Sequence, residues 1–540
     1  MVKLTGAEAL VQQLQKEKVT TIFGLPGFQI MEVFDALYGA RDKIQLIHTR
    51  HEQATSFMAD GYAKVTGKPG VALVVPGPGA LNASAGIGTA YASSSPVLLI
   101  SGQIPRASLG LRKGETHEIE DQLDSFRAIT KWNHRVEKVA EIPTAVNEAI
   151  RQLKSGRPRP VELEVPFDLF KDSSEVALIE PAVLPANRAQ TSDITRAVDM
   201  LIKSKNPTII AGGGAIIANA TTELTNLAEF FQAPVITTQN GKGIIPETHH
   251  LSVGVNYYTL GPSKLVGPNC DVILAVGTRL LSDLHINSST KIIHIDIDAS
   301  EIARNYPTQT EISIVSDAKN ALAQMLQQAQ RLDHPKPSRT KEVNQYRTQF
   351  KKEIRLYAPE QMSIIDTLRS ELNDDAIVVS GITNIGYWSH LGYPVSHPRS
   401  YITSSYFATL GFSFPTALGA KVAHPDRQVV AISGDGGFMY SFQELSTAVK
   451  YGINVIILLF NNNAYGASEW DQTHRYNKHY LGTDLHNPNF VKLANSFGVQ
   501  AIRTDSNGFK SGLRKALKVD APVLLEVTIP TMMPPFQIVQ

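Results

Sequence analysis

Two short stretches carry residue types able to hold a metal ion and a phosphate chain. They are Gly434-Asp435-Gly436-Gly437 and the pair Asn461-Asn462, which follows one helix and one strand later. Asp435 offers a carboxylate, Asn462 an amide oxygen and Ala464 a main-chain carbonyl. An all-oxygen set of this kind suits a hard divalent ion such as Mg2+, which keeps phosphate oxygens and water in its remaining positions. A glycine turn at a strand end also aims backbone N–H groups at an anion. The pattern reads as a diphosphate clamp. Asp-Gly is equally a common turn pair, but a bare turn gives no reason for the next strand to end in Asn-Asn.

Such a clamp must sit at the carboxyl ends of neighbouring strands, and the flanking sequence supplies them. Val429 to Ile432 is an apolar strand, a helical pattern begins near Ser441, and NVIILLF ends at Asn461. The same alternation runs along the chain. From residue 1 to 170 the runs TTIFGL, VALVV, PVLLISG and VELEV alternate with helical patterns; from 190 to 332 the runs are NPTIIAGGG, APVITTQ, CDVILAVG and KIIHIDID; a third block, with AIVVSG, fills 361–540. This predicts an α/β protein of three doubly wound domains with mainly parallel sheets. Lys171 to Ser192 reads as a linker, and the charged stretch before 361 as a partly helical connection. The first and third blocks share the order strand, Gly-rich loop, helix, strand, which points to two related domains.

A chain of 540 residues exceeds what one hydrophobic core organises. With 51 basic against 50 acidic residues it has no electrostatic footprint for nucleic acid or an anionic membrane, so small molecules are the expected partners. The single cysteine, Cys270, excludes an intrachain disulfide and fits a reducing compartment. No apolar run is long enough to span a bilayer. The expectation is a soluble, cytoplasmic protein.

Together with the clamp and the downstream Tyr465-Gly466, four further motifs carry a family resemblance: FGLPG (Phe23 to Gly27), HEQATSFMADGYAKVTGK (His51 to Lys68), PGPGALNA (Pro76 to Ala83) and LGFSFPTALGAKVAHPDR (Leu410 to Arg427). Over nearly its whole length the chain resembles the thiamine diphosphate enzymes of the acetolactate synthase, pyruvate oxidase and 2-oxo acid decarboxylase superfamily. The resemblance implies a pyrimidine-binding domain (1–170), a central Rossmann-like domain (190–332) and a diphosphate- and Mg2+-binding domain (361–540). It also implies a homodimer or homotetramer with active sites between subunits. Glu52 matches the glutamate that hydrogen-bonds the pyrimidine N1′ and favours the tautomer that removes the thiazolium C2 proton. Gly27, Pro76 and Asn82 fall in the implied cofactor-binding set, as do Thr383, Asn384, Gly434, Gly436, Gly437, Asn461, Tyr465 and Gly466. Leu410 matches the bulky residue beneath the bent cofactor, although taken alone it reads as core packing, and the Ala408 carbonyl matches the acceptor for the 4′-amino group. The implied metal ligands are Asp435, Asn462 and Ala464.

Departures from the family pattern concern the substrate. Phe28 follows FGLPG where acetolactate synthases carry a small residue, and is expected to narrow the pocket. His117 and Glu118 replace the Phe-Gln of those enzymes; they are a candidate proton-handling pair or part of a solvated loop. Ala467 and Trp470 stand near the second-substrate side, with Trp470 one position out of register. Two decoys fail: His51-Glu52 lacks the second histidine of HExxH, and Gly212-Gly213-Gly214 lacks the third glycine of a dinucleotide fingerprint. The flavin-binding pattern of the synthases is kept only at Arg279 and Asp283, so the expectation weighs against FAD. The leading expectation is decarboxylation of a 2-oxo acid, pyruvate first, with transfer of the acyl carbanion to a second 2-oxo acid or aldehyde. The alternatives are a thiamine-dependent lyase or decarboxylase acting on another 2-oxo or 2-hydroxyacyl substrate, a flavin-dependent pyruvate oxidase, and an inactive cofactor-binding paralogue.

Overall fold

The computed structural model describes all residues except 186, 259, 282–283, 333–335 and 538–540, so Asp283 of the flavin pattern lies outside the described residues. The N-terminal unit holds β1 (Val2–Thr5), β2 (Thr21–Gly24), β3 (Gln45–His48), β4 (Gly70–Val74), β5 (Val97–Gln103), β6 (Trp132–Arg135), β7 (Val161–Pro166) and β8 (Ser173–Val176). The central unit holds β9 (Pro207–Ala211), β10 (Val235–Thr238), β11 (Ser252–Asn256), β12 (Val272–Val276), β13 (Lys291–Asp296) and β14 (Thr310–Val315). The C-terminal unit holds β15 (Ile377–Ser380), β16 (Tyr401–Thr403), β17 (Val429–Gly434), β18 (Ile456–Asn461), β19 (Gln500–Asp505) and β20 (Val523–Thr528).

Three six-stranded parallel sheets result, in the orders β3-β2-β4-β5-β7-β6, β11-β10-β9-β12-β13-β14 and β16-β15-β17-β18-β20-β19. Counted within each six-stranded sheet, the first and third share one order, second-first-third-fourth-sixth-fifth. The central sheet runs third-second-first-fourth-fifth-sixth, the order of dinucleotide-binding folds. The stretch read as a linker begins instead as β8, which pairs antiparallel with β1 and ties down the N-terminus. The charged connection contains the helix Thr340–Tyr357.

The outer units pack on each other. The helix Glu52–Thr66 starts at His51, whose Nδ1 accepts from the Gln53 N–H at 3.1 Å, and stops at Gly67 in the left-handed region. It lies against the helix Ser413–Ala423. A β-carbon on Gly61 would run into the Thr416 carbonyl, and one on Gly419 into the Met58 carbonyl. The close crossing needs both glycines. Phe57 and Phe412 meet edge to face beside it, and one apolar core runs from Phe23 and Phe57 in the first unit to Phe414 and Phe438 in the third. No helix among the described residues is long and apolar enough to cross a membrane.

Candidate active site

The register of β17 against β18 sets Gly434 opposite Phe460, so Asp435 and Asn461-Asn462 emerge side by side at the carboxyl ends of neighbouring strands. The chain enters the short helix Asp435–Phe438 at once, several residues before the helical pattern read from the sequence. Asp435 is 2% exposed, and burial pushes its carboxyl above the usual range; among the described residues no cationic side chain offsets it. Its Oδ2 instead accepts from Asn487 Nδ2 at 2.6 Å, and the same amide lies 3.2 Å from Asn461 Oδ1 and 3.3 Å from Asn463 Oδ1. A buried carboxylate with no cationic partner, which shares the Asn487 amide with the side-chain oxygens of Asn461 and Asn463, fits a divalent cation.

The surroundings shape a cradle. Thr383 faces Gly434, where a β-carbon would lie 3.0 Å from the Thr383 Oγ1, while the Tyr465 ring and Leu485 pack over Gly436. Leu410 is half-buried and reaches toward Gly437. Ala408, two residues before it, is held at φ 52, a left-handed conformation that costs a non-glycine residue of order 1 kcal/mol or more. The Ala464 loop is clasped by the segment after it, with Tyr465 N–H donating to the Thr483 carbonyl and Leu485 N–H to that of Asn463, both at 2.8 Å. Asn461 Nδ2 donates to the buried Glu526. Asn462 Nδ2 donates to Thr531 Oγ1 at 2.8 Å, and that hydroxyl in turn bonds Glu469. Gly466 packs on Asn462 and begins the helix Gly466–Arg475, which carries Ala467 and Trp470; Trp470 stacks on His474. Asn384 is drawn off by the C-terminal segment, its Nδ2 donating to the Met532 carbonyl at 2.8 Å.

In the N-terminal unit Glu52 opens its helix, and both carboxylate oxygens meet the first turns of the helix Pro78–Ser93. Asn82 Nδ2 donates to Oε2 at 3.0 Å, and a β-carbon on Gly79 would lie 3.3 Å from Oε1. Gly27 abuts Val75, and Pro76 leads into the turn at Gly77. The His117 carbonyl packs on Gly77, and its Nδ1 is buried without a partner among the described residues. Glu118 turns into its own loop and accepts from Gly114 N–H at 2.7 Å and Glu115 N–H at 2.9 Å. Phe28 is 66% exposed within the chain, with its ring on Phe167 at 5.5 Å.

Sequence reasoning did not single out Asn487, Thr531 or Glu444. Glu444, from the C-terminal unit, accepts the Arg50 N–H on both carboxylate oxygens at 3.1 Å and so fixes the segment entering the Glu52 helix. Burial pushes its carboxyl up to about 7. A cavity of about 840 Å³ opens at the switch point of the central sheet, lined by Gly212, Gly214, Asn240, Arg279, Asp296 and Tyr406 among others.

Comparison with known proteins adds to this geometry. Residues 4–127 match the N-terminal TPP binding domain of thiamine pyrophosphate enzymes, 194–325 their central domain and 381–527 their C-terminal TPP binding domain. The chain is 35% identical to a probable acetolactate synthase large subunit of Methanocaldococcus jannaschii, aligned over 97% of this chain and 92% of that one. It is 34% identical to an acetolactate synthase of Arthrospira platensis (98% and 94%) and 32% identical to the acetolactate synthase isozyme 3 large subunit of Escherichia coli (96% and 93%). With its three α/β units in matching order and these relatives along nearly its full length, the chain belongs to the thiamine pyrophosphate enzymes, in the company of the acetolactate synthase large subunits.

Proposed function

We propose that the protein is an acetolactate synthase-like carboligase, which decarboxylates a 2-oxo acid, pyruvate first, and transfers the acyl carbanion to a second carbonyl. Bound thiamine diphosphate supplies the electron sink for that carbanion. Asp435, Asn462 and the Ala464 carbonyl would hold Mg2+, and the Gly434 to Gly437 turn with Thr383 would receive the diphosphate. Leu410 would support the cofactor from below. Glu52, steadied by Asn82, would share a proton with the pyrimidine N1′. The observation that carries this reading is the buried Asp435 carboxylate with no cation beside it, at the ends of two adjacent strands.

Glu52 and Asp435 belong to different units, and a homodimer or homotetramer would complete each site between chains. A reducing, cytoplasmic setting suits the lone buried Cys270, whose thiol burial pushes up to about 11. The central cavity supports a nucleotide-sized occupant; Arg279, its guanidinium 4.3 Å from the Tyr406 ring centre, is the described remnant of the flavin pattern. FAD there would be a structural passenger of the carboligase, visible as stoichiometric yellow colour.

Calorimetry and product analysis test the assignment. Thiamine diphosphate should bind only with Mg2+ present, Asp435→Ala should lose both, and pyruvate should yield carbon dioxide and 2-acetolactate without oxygen uptake. Metal-independent cofactor binding would overturn the metal assignment, and turnover of another donor with none of pyruvate would overturn the substrate.

A further inference from the structure

Strand β7 reads VELEVP and is buried along its whole length, yet it places Glu162 and Glu164 on one face. Strands covered on both sides are normally Val, Ile and Leu, and an uncompensated buried carboxylate is costly. Both side chains are 0% exposed. Glu164 lies in register with Ser101 on β5 and Arg135 on β6, and the Arg135 Nε bonds its Oε1. Ser101 Oγ donates to Glu162 Oε1 at 3.0 Å, while Glu162 Oε2 has no partner among the described residues. Of the two acids Glu164 is the one bonded to the guanidinium, with Asp121 near it as a further negative group.

Gln122, also 0% exposed, closes the arrangement. Its Nε2 lies 2.9 Å from Ser101 Oγ and 3.1 Å from Glu164 Oε2, and its Oε1 accepts the Gly77 N–H at 2.8 Å. The amide can face only this way, because a backbone donor stands on one side and carboxyl acceptors on the other. Gly77 sits at φ 58, which glycine adopts without strain, and begins the helix Pro78–Ser93. That helix is the one whose Gly79 and Asn82 meet the two oxygens of Glu52.

The C-terminal unit repeats the device at the equivalent strands. Arg503 on β19 pairs with the buried Glu526 on β20, in the same register, and Glu526 holds Asn461 at the metal loop. In each outer sheet the strand next to the edge, β7 or β20, thus carries a buried acid that grips an amide side chain. Only the N-terminal unit adds a second acid; the residue matching Glu162 two places before Glu526 is Leu524.

We propose that Gln122, Glu162 and Glu164 are positioning residues for Glu52: they fix the turn at Gly77 and, through the helix that starts there, aim the Glu52 carboxylate. This rests on the reading of Glu52 as the carboxylate that meets the pyrimidine. Burial and the neighbouring Glu164 push Glu162 up to about 8, and burial raises Glu164 as well against the pull of Arg135, so at neutral pH Glu162 holds its proton. Ionisation of Glu162 sets a negative charge beside Glu164 and Asp121, pulls on the Gln122 amide and frees the Gly77 N–H.

Hydrogen-exchange mass spectrometry of the segment 76–82, with and without cofactor, and the pH profile of kcat in the holoenzyme test this. Gln122→Met should expose the Gly77 amide to exchange and lower kcat about tenfold to a hundredfold, the scale of a small misplacement of a catalytic group, with little change in KM or cofactor affinity. In the wild type, exchange at Gly77, corrected for its intrinsic rate, should rise and kcat should fall as pH passes about 8. Glu162→Gln, which matches the neutral acid in shape, should abolish both trends. If Gln122→Met does not fold, Glu162→Gln decides alone. An unchanged alkaline limb in Glu162→Gln, or a protected Gly77 amide with wild-type kcat in Gln122→Met, would overturn the proposal. Glu52→Gln serves as the separate control: wild-type kcat there would refute the role of Glu52 itself, while the exchange data would still report on the link from Gln122 to Gly77.

Discussion

At the scale of single residues, the site depends on carboxylates that burial has made into proton holders or cation seekers. Glu444 is the clearest case outside the implied cofactor contacts. Its folded-state pKa, about 7, exceeds that of a glutamate in the unfolded chain, roughly 4.3. Between those values the folded protein binds more protons than the unfolded one. Stability from this group is therefore fully present below pH ~4.3 and lost as pH rises through about 7. Glu444→Gln, which keeps an oxygen for the Arg50 N–H, should flatten the decline of the melting temperature over that window. Parallel melting curves for mutant and wild type from pH 5 to 8 would show that Glu444 is ionised throughout.

At the scale of elements, the crossing of Glu52–Thr66 with Ser413–Ala423 couples the two outer units. The Met58 carbonyl that a β-carbon on Gly419 would strike is helix backbone and cannot swing aside. Gly419→Ala should cost about 1–3 kcal/mol through overpacking, despite the better helix propensity of alanine. Gly39→Ala, at a helix end with nothing within 4 Å, should be neutral or stabilising. Urea unfolding of the pair checks the contrast, and equal stability of the two variants would refute the close crossing. The elements also explain what was legible. The apolar runs recognised in the sequence are interior strands, such as β4 and β5, buried on both faces. All six sheet edges, β3, β6, β11, β14, β16 and β19, went unread, and so did the interior β20. Edges such as β14 and β19 leave much of their length exposed, so their residues are polar and lack an apolar run.

At the scale of the whole molecule, the two outer units share one sheet order, and under the proposed function each would carry half of a site, Glu52 in one and Asp435 in the other. If two chains complete each site, Glu52→Gln and Asp435→Ala variants should each be inactive or nearly so, yet recover on mixing. A mixed dimer joins the intact Asp435 of one chain to the intact Glu52 of the other. Random reassortment of dimers should restore about a quarter of wild-type activity. No recovery after verified subunit exchange would mean that each chain builds its own site.

Residue type and spacing alone spell the Gly-rich stretch from Gly434 to Gly437, the Asn pair one unit later, most of the interior strands and their grouping into three α/β blocks. These are local in the chain, so local physics exposes them. That the outer sheets share one strand order and the central sheet another is visible in the folded chain alone, since hydrophobic pattern says where a strand lies but not which strand it joins. The tertiary structure alone brought Asn487 to Asp435, Thr531 to Asn462, Glu444 to Arg50 and Gln122 to Gly77. Those partners come from distant segments at no fixed spacing, and a buried polar group takes whichever neighbour the folded sheet sets within hydrogen-bonding reach.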